Sequence, residues 1–294
     1  MNGIVNIIKP AGMSSSDVVA RMRRILGEKR VGHLGTLDPA AAGTLPVLVG
    51  KATRLFDYLS VHNKEYIAEF CLGKETDTLD AEGVVTEEEP WDGDVEKIRE
   101  ILKDYLGPID QLPPQYSAVK LGGKKAYDLA RKGQIADIPM RRVVIHELEL
   151  LRWEGDRVWV RILCEKGTYV RSLCRDIARQ AGTRGYLTYL LRTQSGDFRI
   201  EDGLTLAQAA VLAARGQLPM QSMEAALEFI PAVTLEARFE KGLRNGLWPP
   251  VDDIEKETPH RVYCAGKFYG VGHARECEKG MEMKLDLYLP SEEA

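Results

Sequence analysis

A Gly-rich loop near the N-terminus reads Val31-Gly32-His33-Leu34-Gly35-Thr36-Leu37-Asp38-Pro39-Ala40-Ala41-Ala42-Gly43-Thr44-Leu45-Pro46. It sets one carboxylate, Asp38, among residues that are otherwise nearly uncharged. An ionised Asp between Leu37 and Pro39 is costly to desolvate without partners. The side chain therefore needs an ionic partner, a helix-capping role or a chemical task, and the loop alone leaves all three open.

Helix capping is a sound structural explanation of Asp38. The run Asp-Pro-Ala-Ala-Ala fits an N-cap followed by Pro at the first helical position. Pro39 also disfavours helical backbone at the residue before it, as a cap requires. On this interpretation a helix begins at Pro39.

The wider pattern favours a chemical role. The loop contains Gly-His-x-Gly-Thr-Leu-Asp-Pro-x-Ala-x-Gly-x-Leu-Pro and follows a Lys-Pro-x-Gly-Met-Ser-Ser segment at Lys9 to Ser15. Together they closely resemble the bacterial tRNA pseudouridine-55 synthases, the TruB family. In that family the matching Asp is the catalytic nucleophile, so the resemblance implies this role for Asp38.

Length and composition indicate a cytoplasmic protein. A chain of 294 residues is long enough for about two domains. The cysteines form no Cys-x-x-Cys pair and no zinc spacing, so we expect reduced thiols; they are Cys71, Cys164, Cys174, Cys264 and Cys277. Met1 to Pro10 lacks a basic region, and no apolar stretch reaches the length of a membrane span, which argues against secretion and membrane insertion.

The net charge of -4 and the pI near 5.9 argue at first against a nucleic-acid partner. The distribution of charge changes that conclusion. One basic cluster precedes the Asp38 loop, and a second occupies residues 120–142 against only Asp128 and Asp137. The second cluster contains Lys120, Lys124, Lys125, Arg131, Lys132, Arg141 and Arg142. A solvated surface is the alternative explanation of such charge runs.

Hydrophobic periodicity predicts strands and helices without regular βαβ alternation, which indicates an α+β fold. Strands are predicted over residues 3–8, 44–49, 64–72, 116–121, 142–153 and 157–165. Helices are predicted from Ser15 or Ser16, from about Ala52, around residues 98–105, over 124–132, from a cap at 166–168 to Gln180, over 205–214 and over 222–229.

The composition of the sequence changes near Ile230. Residues 231–294 are rich in Gly and Pro, with short strands predicted over 261–265, 268–271 and 283–289, which indicates a small β domain. The resemblance implies a bent mixed β-sheet in a catalytic domain, residues 1–229, with an RNA-binding insertion at about 111–142. It also implies a PUA-like β-barrel over 230–294, although this region matches the family only loosely.

Further blocks extend the resemblance to roughly residue 200. Lys64-Glu65-Tyr66 and Leu72-Gly73-x3-Asp77-Thr78-x-Asp80 match the family's second block, in which the Tyr packs against the target base. The resemblance implies that role for Tyr66. An aromatic residue on the inner face of a strand is the structural alternative.

Lys166-Gly167-Thr168-Tyr169-Val170-Arg171-Ser172-Leu173 matches the third block, in which the Arg pairs with the catalytic Asp. A guanidinium near a buried Asp38 would favour its ionised form. The alternative is that Arg171 forms an exposed ion pair on its helix. The resemblance also implies that Tyr169 lines the pocket.

Two further residues receive substrate-binding roles from the resemblance. Leu190, in Tyr189-Leu190-Leu191-Arg192-Thr193, matches a pocket-lining Leu and is otherwise a core residue. His33 matches a His that inserts into the RNA loop; a structural histidine is the alternative, because no metal-ligand spacing surrounds it.

The segment from Leu112 resembles the family's RNA-binding insertion. Its Gly122-Gly123 pair permits movement, and its basic side chains can contact phosphates. The residues assigned to RNA binding are Lys120, Lys124, Lys125, Arg131 and Lys132.

The resemblance implies a monomeric enzyme that isomerises the T-loop uridine of tRNA at position 55, with no metal, organic cofactor, membrane or obligate protein partner. The target base is flipped out and Asp38 attacks either the sugar or the uracil ring. Two alternatives remain: a non-catalytic RNA-binding or RNA-folding module, and a guide-RNA-dependent synthase of the dyskerin type. The module would not need Asp38, Tyr66 and Arg171 together, and activity of the chain alone would distinguish the dyskerin type.

Overall fold

The computed structural model describes residues 1–289 except 118, 253 and 279, and it does not describe the side chains of Lys120, Lys124 and Lys125. The end of the predicted C-terminal domain, 290–294, and part of the strand predicted over 116–121 therefore lie outside the described residues. So do the side chains of those three lysines.

Nine strands of the described residues form one mixed sheet. They are β1 (Gly3–Lys9), β2 (Val31–His33), β3 (Ala42–Val49), β4 (Lys64–Leu72), β7 (Gly107–Gln111), β10 (Arg141–Glu154), β11 (Arg157–Cys164), β12 (Gly185–Ser195) and β13 (Phe198–Arg199). The order is β1-β3-β12-β4-β11-β10-β7, with β2 beside β3 and β13 beside β12. The β12–β3 pair is parallel, and the other pairs are antiparallel. Two small hairpins are β5 (Lys74–Thr76) with β6 (Val85–Glu88), and β8 (Lys120–Leu121) with β9 (Lys124–Lys125).

Two apolar clusters join helices to this sheet. The helices are α1 (Ser15–Leu26), α2 (Phe56–Leu59), α3 (Val95–Asp104), α4 (Ala126–Ala130), α5 (Val170–Gln180), α6 (Leu206–Ala214) and α7 (Glu240–Arg244). One cluster joins Phe70 of β4 to Ile98 of α3 and Ile177 of α5. The other lies between β1, β3, α1 and α6 and includes Ile7 and Met22. Burying these apolar stripes against the sheet is the main favourable contribution to folding.

The strand predicted over 64–72 is confirmed as β4. Tyr66, Ala68 and Phe70 are buried, whereas Glu65 and Glu69 are partly exposed. This alternation follows from the two-residue period of a strand, and it places Tyr66 on the core face. The strands predicted over 142–153 and 157–165 are likewise confirmed as β10 and β11.

Some helix starts differ from the prediction because the caps differ. Ser14, and not Ser15 or Ser16, caps α1: its hydroxyl accepts from the backbone N–H of Asp17, whose carboxylate accepts from the backbone N–H of Ser14. The N-cap of α5 is Tyr169, which makes no side-chain cap, and the Thr168 hydroxyl donates to the carbonyl of Glu165.

Several predicted elements are shorter in the structure. The helix predicted over 222–229 is only a 3₁₀ turn, Ala225–Leu227, and the helix predicted from about Ala52 is a 3₁₀ turn, Gly50–Leu55, followed by α2. The helix predicted over 124–132 is reduced to α4, and the strand predicted over 116–121 to β8. Gly122 and Gly123 both have positive φ, which forms the tight β8–β9 hairpin instead.

Residues 112–140 leave the sheet and return to it at the same place, because Gln111 of β7 pairs with Arg141 of β10. The excursion contains β8, β9 and α4 and has its own small apolar cluster of Ala126, Ala136 and Ile138. It is therefore a separate packing unit attached to the sheet edge.

The C-terminal segment forms a second sheet. Its strands are β14 (Ala232–Leu235), β15 (Pro250–Val251), β16 (His260–Cys264), β17 (Lys267–Cys277) and β18 (Gly280–Tyr288), in the order β14-β16-β17-β18-β15. One apolar cluster contains Ile4 and Leu55 from the first part of the chain together with Phe268, Val271 and Leu289. The two sheets therefore share a core. The mixture of sheets and helices without regular βαβ alternation confirms the predicted α+β class.

All five cysteines have free thiols. Across the described ranges, no helix has both the length and the apolar character needed to cross a membrane.

Candidate active site

The Asp38 loop connects β2 to β3 without a helix. The N–H of Ala41 donates to the carbonyl of Asp38 at 3.1 Å, and β3 begins at Ala42. The helix-capping interpretation of Asp38 is therefore wrong. The Asp38 side chain is 42% exposed, so its carboxylate is open to an approaching ligand and is less buried than the sequence led us to expect.

The N-terminal segment holds the backbone on both sides of Asp38. The Ser15 hydroxyl accepts a hydrogen bond from the backbone N–H of Leu37 and donates one to the carbonyl of Leu37, each at 2.9 Å. The buried Lys9 ammonium donates to the carbonyl of Pro39 at 3.1 Å and to the carbonyls of Pro10 and Met13. Burial lowers the pKa of Lys9 to about 8, against the opposing effect of the Asp38 carboxylate.

The guanidinium of Arg171, in the first turn of α5, faces Asp38. Its Nη2 lies 2.9 Å from Oδ2 of Asp38, and its Nη1 lies 3.4 Å from Oδ2 of Asp80. It also donates to the carbonyls of Thr78 and Tyr116, each at 2.9 Å. The Arg171 side chain is only 7% exposed, so the exposed ion-pair explanation is wrong. This is the hydrogen-bonded environment that a buried cation requires.

Asp80 belongs to the site, but sequence reasoning assigned it no role. Its Oδ1 accepts from the Thr78 hydroxyl at 2.6 Å and from the backbone N–H of Glu82 at 3.1 Å. Its other oxygen faces Arg171. The available signal was its position in the Asp77-Thr78-x-Asp80 block, but only the fold brings this block to α5.

Tyr66 lies in the core beside the loop. It is 8% exposed and belongs to the apolar cluster that includes Leu37, Ala41 and Leu190. Burial raises the pKa of the Tyr66 hydroxyl, and the nearby Arg192 guanidinium opposes that effect. The structure thus places Tyr66 and Leu190 next to the loop that carries Asp38.

Two other candidate residues have defined surroundings. The backbone N–H and carbonyl of Tyr169 pair with the side-chain amide of Gln111, which fixes the start of α5. His33 ends β2; burial, followed by the Arg192 charge, lowers its pKa, so the ring is neutral near pH 7. Its buried Nδ1 has no hydrogen-bond partner among the described residues.

The predicted RNA-binding cations lie on the excursion. Arg131 and Lys132 are exposed after α4, and the Arg131 guanidinium lies 5.5 Å from the centre of the Tyr127 ring. The backbones of Lys120, Lys124 and Lys125 form the β8–β9 hairpin, while their side chains lie outside the description. The carbonyl of Tyr116 accepts from the Arg171 guanidinium, so the excursion passes beside the Arg171–Asp38 pair.

The described side chains bring no three His, Cys, Asp or Glu residues together in a group that could hold a metal ion. The chemistry available at this site is that of a partly exposed carboxylate, a buried guanidinium and a buried phenol.

Comparison with known proteins identifies the family. The family model described as the N-terminal domain of TruB family pseudouridylate synthases matches residues 23–170. This chain belongs to the TruB family. It is 42% identical to tRNA pseudouridine synthase B of Caldanaerobacter subterraneus subsp. tengcongensis, over 93% of this chain and 95% of that protein. It is 44% identical to tRNA pseudouridine synthase B of Dehalococcoides mccartyi, over 90% of this chain and 89% of that protein.

Solved structures of similar architecture agree with this family membership. The chain is similar to a chain of a Cbf5-Nop10-Gar1 complex, with a TM-score of 0.73 and 29% identity over 98% of this chain and 84% of that chain. It is also similar to a chain of an H/ACA RNP bound to a substrate RNA containing 2'-deoxyuridine, with a TM-score of 0.71 and 26% identity over 97% of this chain and 84% of that chain.

Proposed function

We propose that this protein converts the uridine at position 55, in the T-loop of tRNA, to pseudouridine. The observation that carries the proposal is the 2.9 Å ion pair between Asp38 and Arg171 beside Tyr66. The family is that of the pseudouridylate synthases, and full-length relatives are named tRNA pseudouridine synthase B. A non-catalytic RNA-binding module would have no use for a partly exposed carboxylate held by a buried guanidinium.

The reaction is an isomerisation in which no atom is lost. The target uridine leaves its stack, and the Asp38 carboxylate adds covalently to the nucleotide. The bond between N1 of the base and C1′ of the sugar breaks, the base rotates, and a bond forms between C5 and C1′. Release of Asp38 and transfer of the C5 proton, with N1 becoming protonated, complete the balance without an external oxidant or reductant.

The side chains around Asp38 supply orientation and charge. Arg171 holds one oxygen of the Asp38 carboxylate at 2.9 Å and so orients the nucleophile. The Tyr66 ring offers a flat apolar face to the extruded base, and Leu190 lies in the same cluster. Tyr169 and His33 complete the proposed substrate-binding set.

Recognition of tRNA rests on shape and phosphate contacts. The exposed Arg131 and Lys132 lie on the 112–140 excursion, and the same segment contains Lys120, Lys124 and Lys125. Folded RNA is recognised through loops and backbone geometry more than through a duplex code. We infer that this excursion is the RNA-binding insertion and contacts the T-arm.

We further propose that the C-terminal sheet is a PUA-like domain that contacts RNA. A groove of about 690 Å³ lies beside α7 and is lined by Lys241, Leu247 and Trp248, among others. Arg275 and Lys284 lie 5.8 and 5.5 Å from the centre of the Trp248 ring. An exposed aromatic ring with cations around it suits unpaired nucleotides, because bases stack on the ring and phosphates meet the charges. Replacing Trp248 with Ala should then weaken tRNA binding several-fold.

A guide-RNA-dependent function is the second candidate, and the similarity to chains of Cbf5 and H/ACA assemblies supports it. The identity to those chains is 26–29%, whereas the identity to the two relatives described above, each named tRNA pseudouridine synthase B, is 42% and 44%. We therefore favour a protein that acts as a monomer, without a guide RNA or protein partner.

The test uses the purified full chain alone with transcribed tRNA. Pseudouridine is mapped by carbodiimide modification and reverse transcription, and a tRNA with cytidine in place of the target uridine is the control. Modification of the T-loop uridine alone supports the proposal. Tight tRNA binding without modification would indicate the binding module, and modification only after addition of guide RNA and partner proteins would indicate the dyskerin type.

A further inference from the structure

A second guanidinium, Arg192, is buried beneath the Asp38 loop. Its side chain is 1% exposed, and burial lowers its pKa. Within the described residues no carboxylate forms an ion pair with Arg192. The effect that opposes this lowering of the pKa of Arg192 comes from Tyr66. A buried cation without a counter-charge is costly unless hydrogen bonds compensate. The hydrogen bonds that Arg192 makes therefore show which parts of the structure it holds in place.

Arg192 joins the two ends of the Asp38 loop. Its Nε donates to the carbonyl of Thr44 at 2.8 Å, and its Nη2 donates to the carbonyl of Gly35 at 3.2 Å. Gly35 precedes Asp38 in the chain, and Thr44 follows it. One rigid, planar group therefore sets the distance between the two points at which the loop leaves and re-enters the sheet.

The same side chain is a neighbour of Tyr66 on the adjacent strand. The pairing follows from strand register: Arg192 of β12 lies directly opposite Tyr66 of β4 on one side and Gly43 of β3 on the other. Arg192 thus bonds the loop carrying Asp38 and is the direct cross-strand neighbour of the ring against which we place the base.

We propose that Arg192 is a positioning residue for pseudouridine formation, holding the Tyr66 hydroxyl and both ends of the Asp38 loop so that a base against Tyr66 faces the Asp38 carboxylate. This inference rests on the proposed function. Lysine would retain the charge but has a single donor atom, so it could not span Gly35, Thr44 and Tyr66 together.

The test is a double-mutant cycle with Arg192→Lys and Tyr66→Phe, read by single-turnover rates at saturating tRNA and by the Kd for tRNA. We expect Arg192→Lys to reduce the rate about tenfold or more while the Kd stays within about threefold. In the Tyr66→Phe background the same substitution should cost much less, because the partner hydroxyl is already gone. Arg175→Lys is the control: Arg175 is also buried and donates to a backbone carbonyl, that of Leu112, and to the Asp176 carboxylate, but no described hydrogen bond or ion pair joins it to Tyr66 or to the Asp38 loop.

Three results would overturn the proposal: an unchanged rate in Arg192→Lys, losses that simply multiply in the double mutant, or an equal loss in Arg175→Lys. Folding is checked by circular dichroism at low temperature, with Arg192→Gln as a second variant. If neither variant folds, Arg192 serves stability and the proposal also fails. An inactive wild-type protein would instead contradict the proposed function, so the two failures are distinguishable.

Discussion

Arg171 and Asp80 form a 3.4 Å ion pair behind the candidate nucleophile. The other terminal nitrogen of the same guanidinium lies 2.9 Å from Asp38. Asp80 is 12% exposed and Asp38 is 42% exposed, so the inner carboxylate anchors the cation and the outer one is accessible from the surface. The bidentate geometry of arginine makes this sharing possible.

Arg171→Lys should therefore lower the single-turnover rate about ten- to hundredfold, because one ammonium cannot bond Asp38, Asp80 and two carbonyls in this geometry. The melting temperature should fall only slightly. Arg175→Lys, on the same helix, is the control and should remain nearly as active as the wild type. Equal rates for wild type and Arg171→Lys would rule out a catalytic role for the pair.

Asp38→Asn should reduce pseudouridine formation about a thousandfold or more, because an amide is not a nucleophile of this kind. The amide keeps the shape of the side chain, so tRNA binding should stay within about threefold of wild type. Asp57→Asn, at an exposed position of α2, is the control. Normal turnover by Asp38→Asn would contradict the proposed mechanism.

The cations of the excursion should carry part of the salt dependence of tRNA binding. Replacing Lys124, Lys125, Arg131 and Lys132 with Ala should lower the log–log slope by about 0.7 for each phosphate that the protein no longer neutralises. The rate at saturating tRNA should change less, because Asp38 lies outside this segment.

A matched pair of double variants tests whether the cations that bind tRNA lie on the excursion. Arg131→Ala with Lys132→Ala should weaken binding, whereas Arg99→Ala with Lys103→Ala, on exposed α3 positions paired to glutamates, should not. Equal effects of the two pairs would mean that the excursion is only a solvated surface.

Gly43→Ala should destabilise the protein by about 2 kcal/mol or more. A Cβ at Gly43 would lie 2.2 Å from the carbonyl oxygen of Arg192, and the φ of +112° is unfavourable for alanine. Gly12→Ala is the control: its φ is +80°, but no atom lies within 4 Å of the added carbon, so only backbone strain of about 1 kcal/mol is expected. Equal melting temperatures of the two variants would contradict the close approach of β3 and β12.

The buried Lys9 should make stability increase with pH above neutrality. Its pKa is about 8 in the folded protein and 10.5 as an ordinary lysine, so between these values the unfolded chain binds more protons. The free energy of unfolding should therefore rise there, by up to about 1.4 kcal/mol per pH unit. Urea unfolding of wild type and Lys9→Met across pH 7 to about 10 isolates this contribution as a difference. A difference that does not change with pH would show that Lys9 titrates normally.

The local pattern of the sequence was sufficient for many elements. Alternating residues specify β4, and the turn at Glu154-Gly155-Asp156 between two apolar runs specifies the β10–β11 hairpin, because both signals depend on near neighbours in the chain. The motif around Asp38 singled out the candidate nucleophile by the same local means, and Tyr66 and Arg171 by their own blocks.

Only the tertiary structure decided how these pieces meet. The strand β12 went unpredicted, yet it lies between β3 and β4 and brings Arg192 against Gly43 and Tyr66. Likewise, only the fold shows that Asp38 caps no helix and that Asp80 supports Arg171. The physical reason is that these contacts join residues far apart in the chain, so the cost of burying each charge is set by partners that local patterns do not contain.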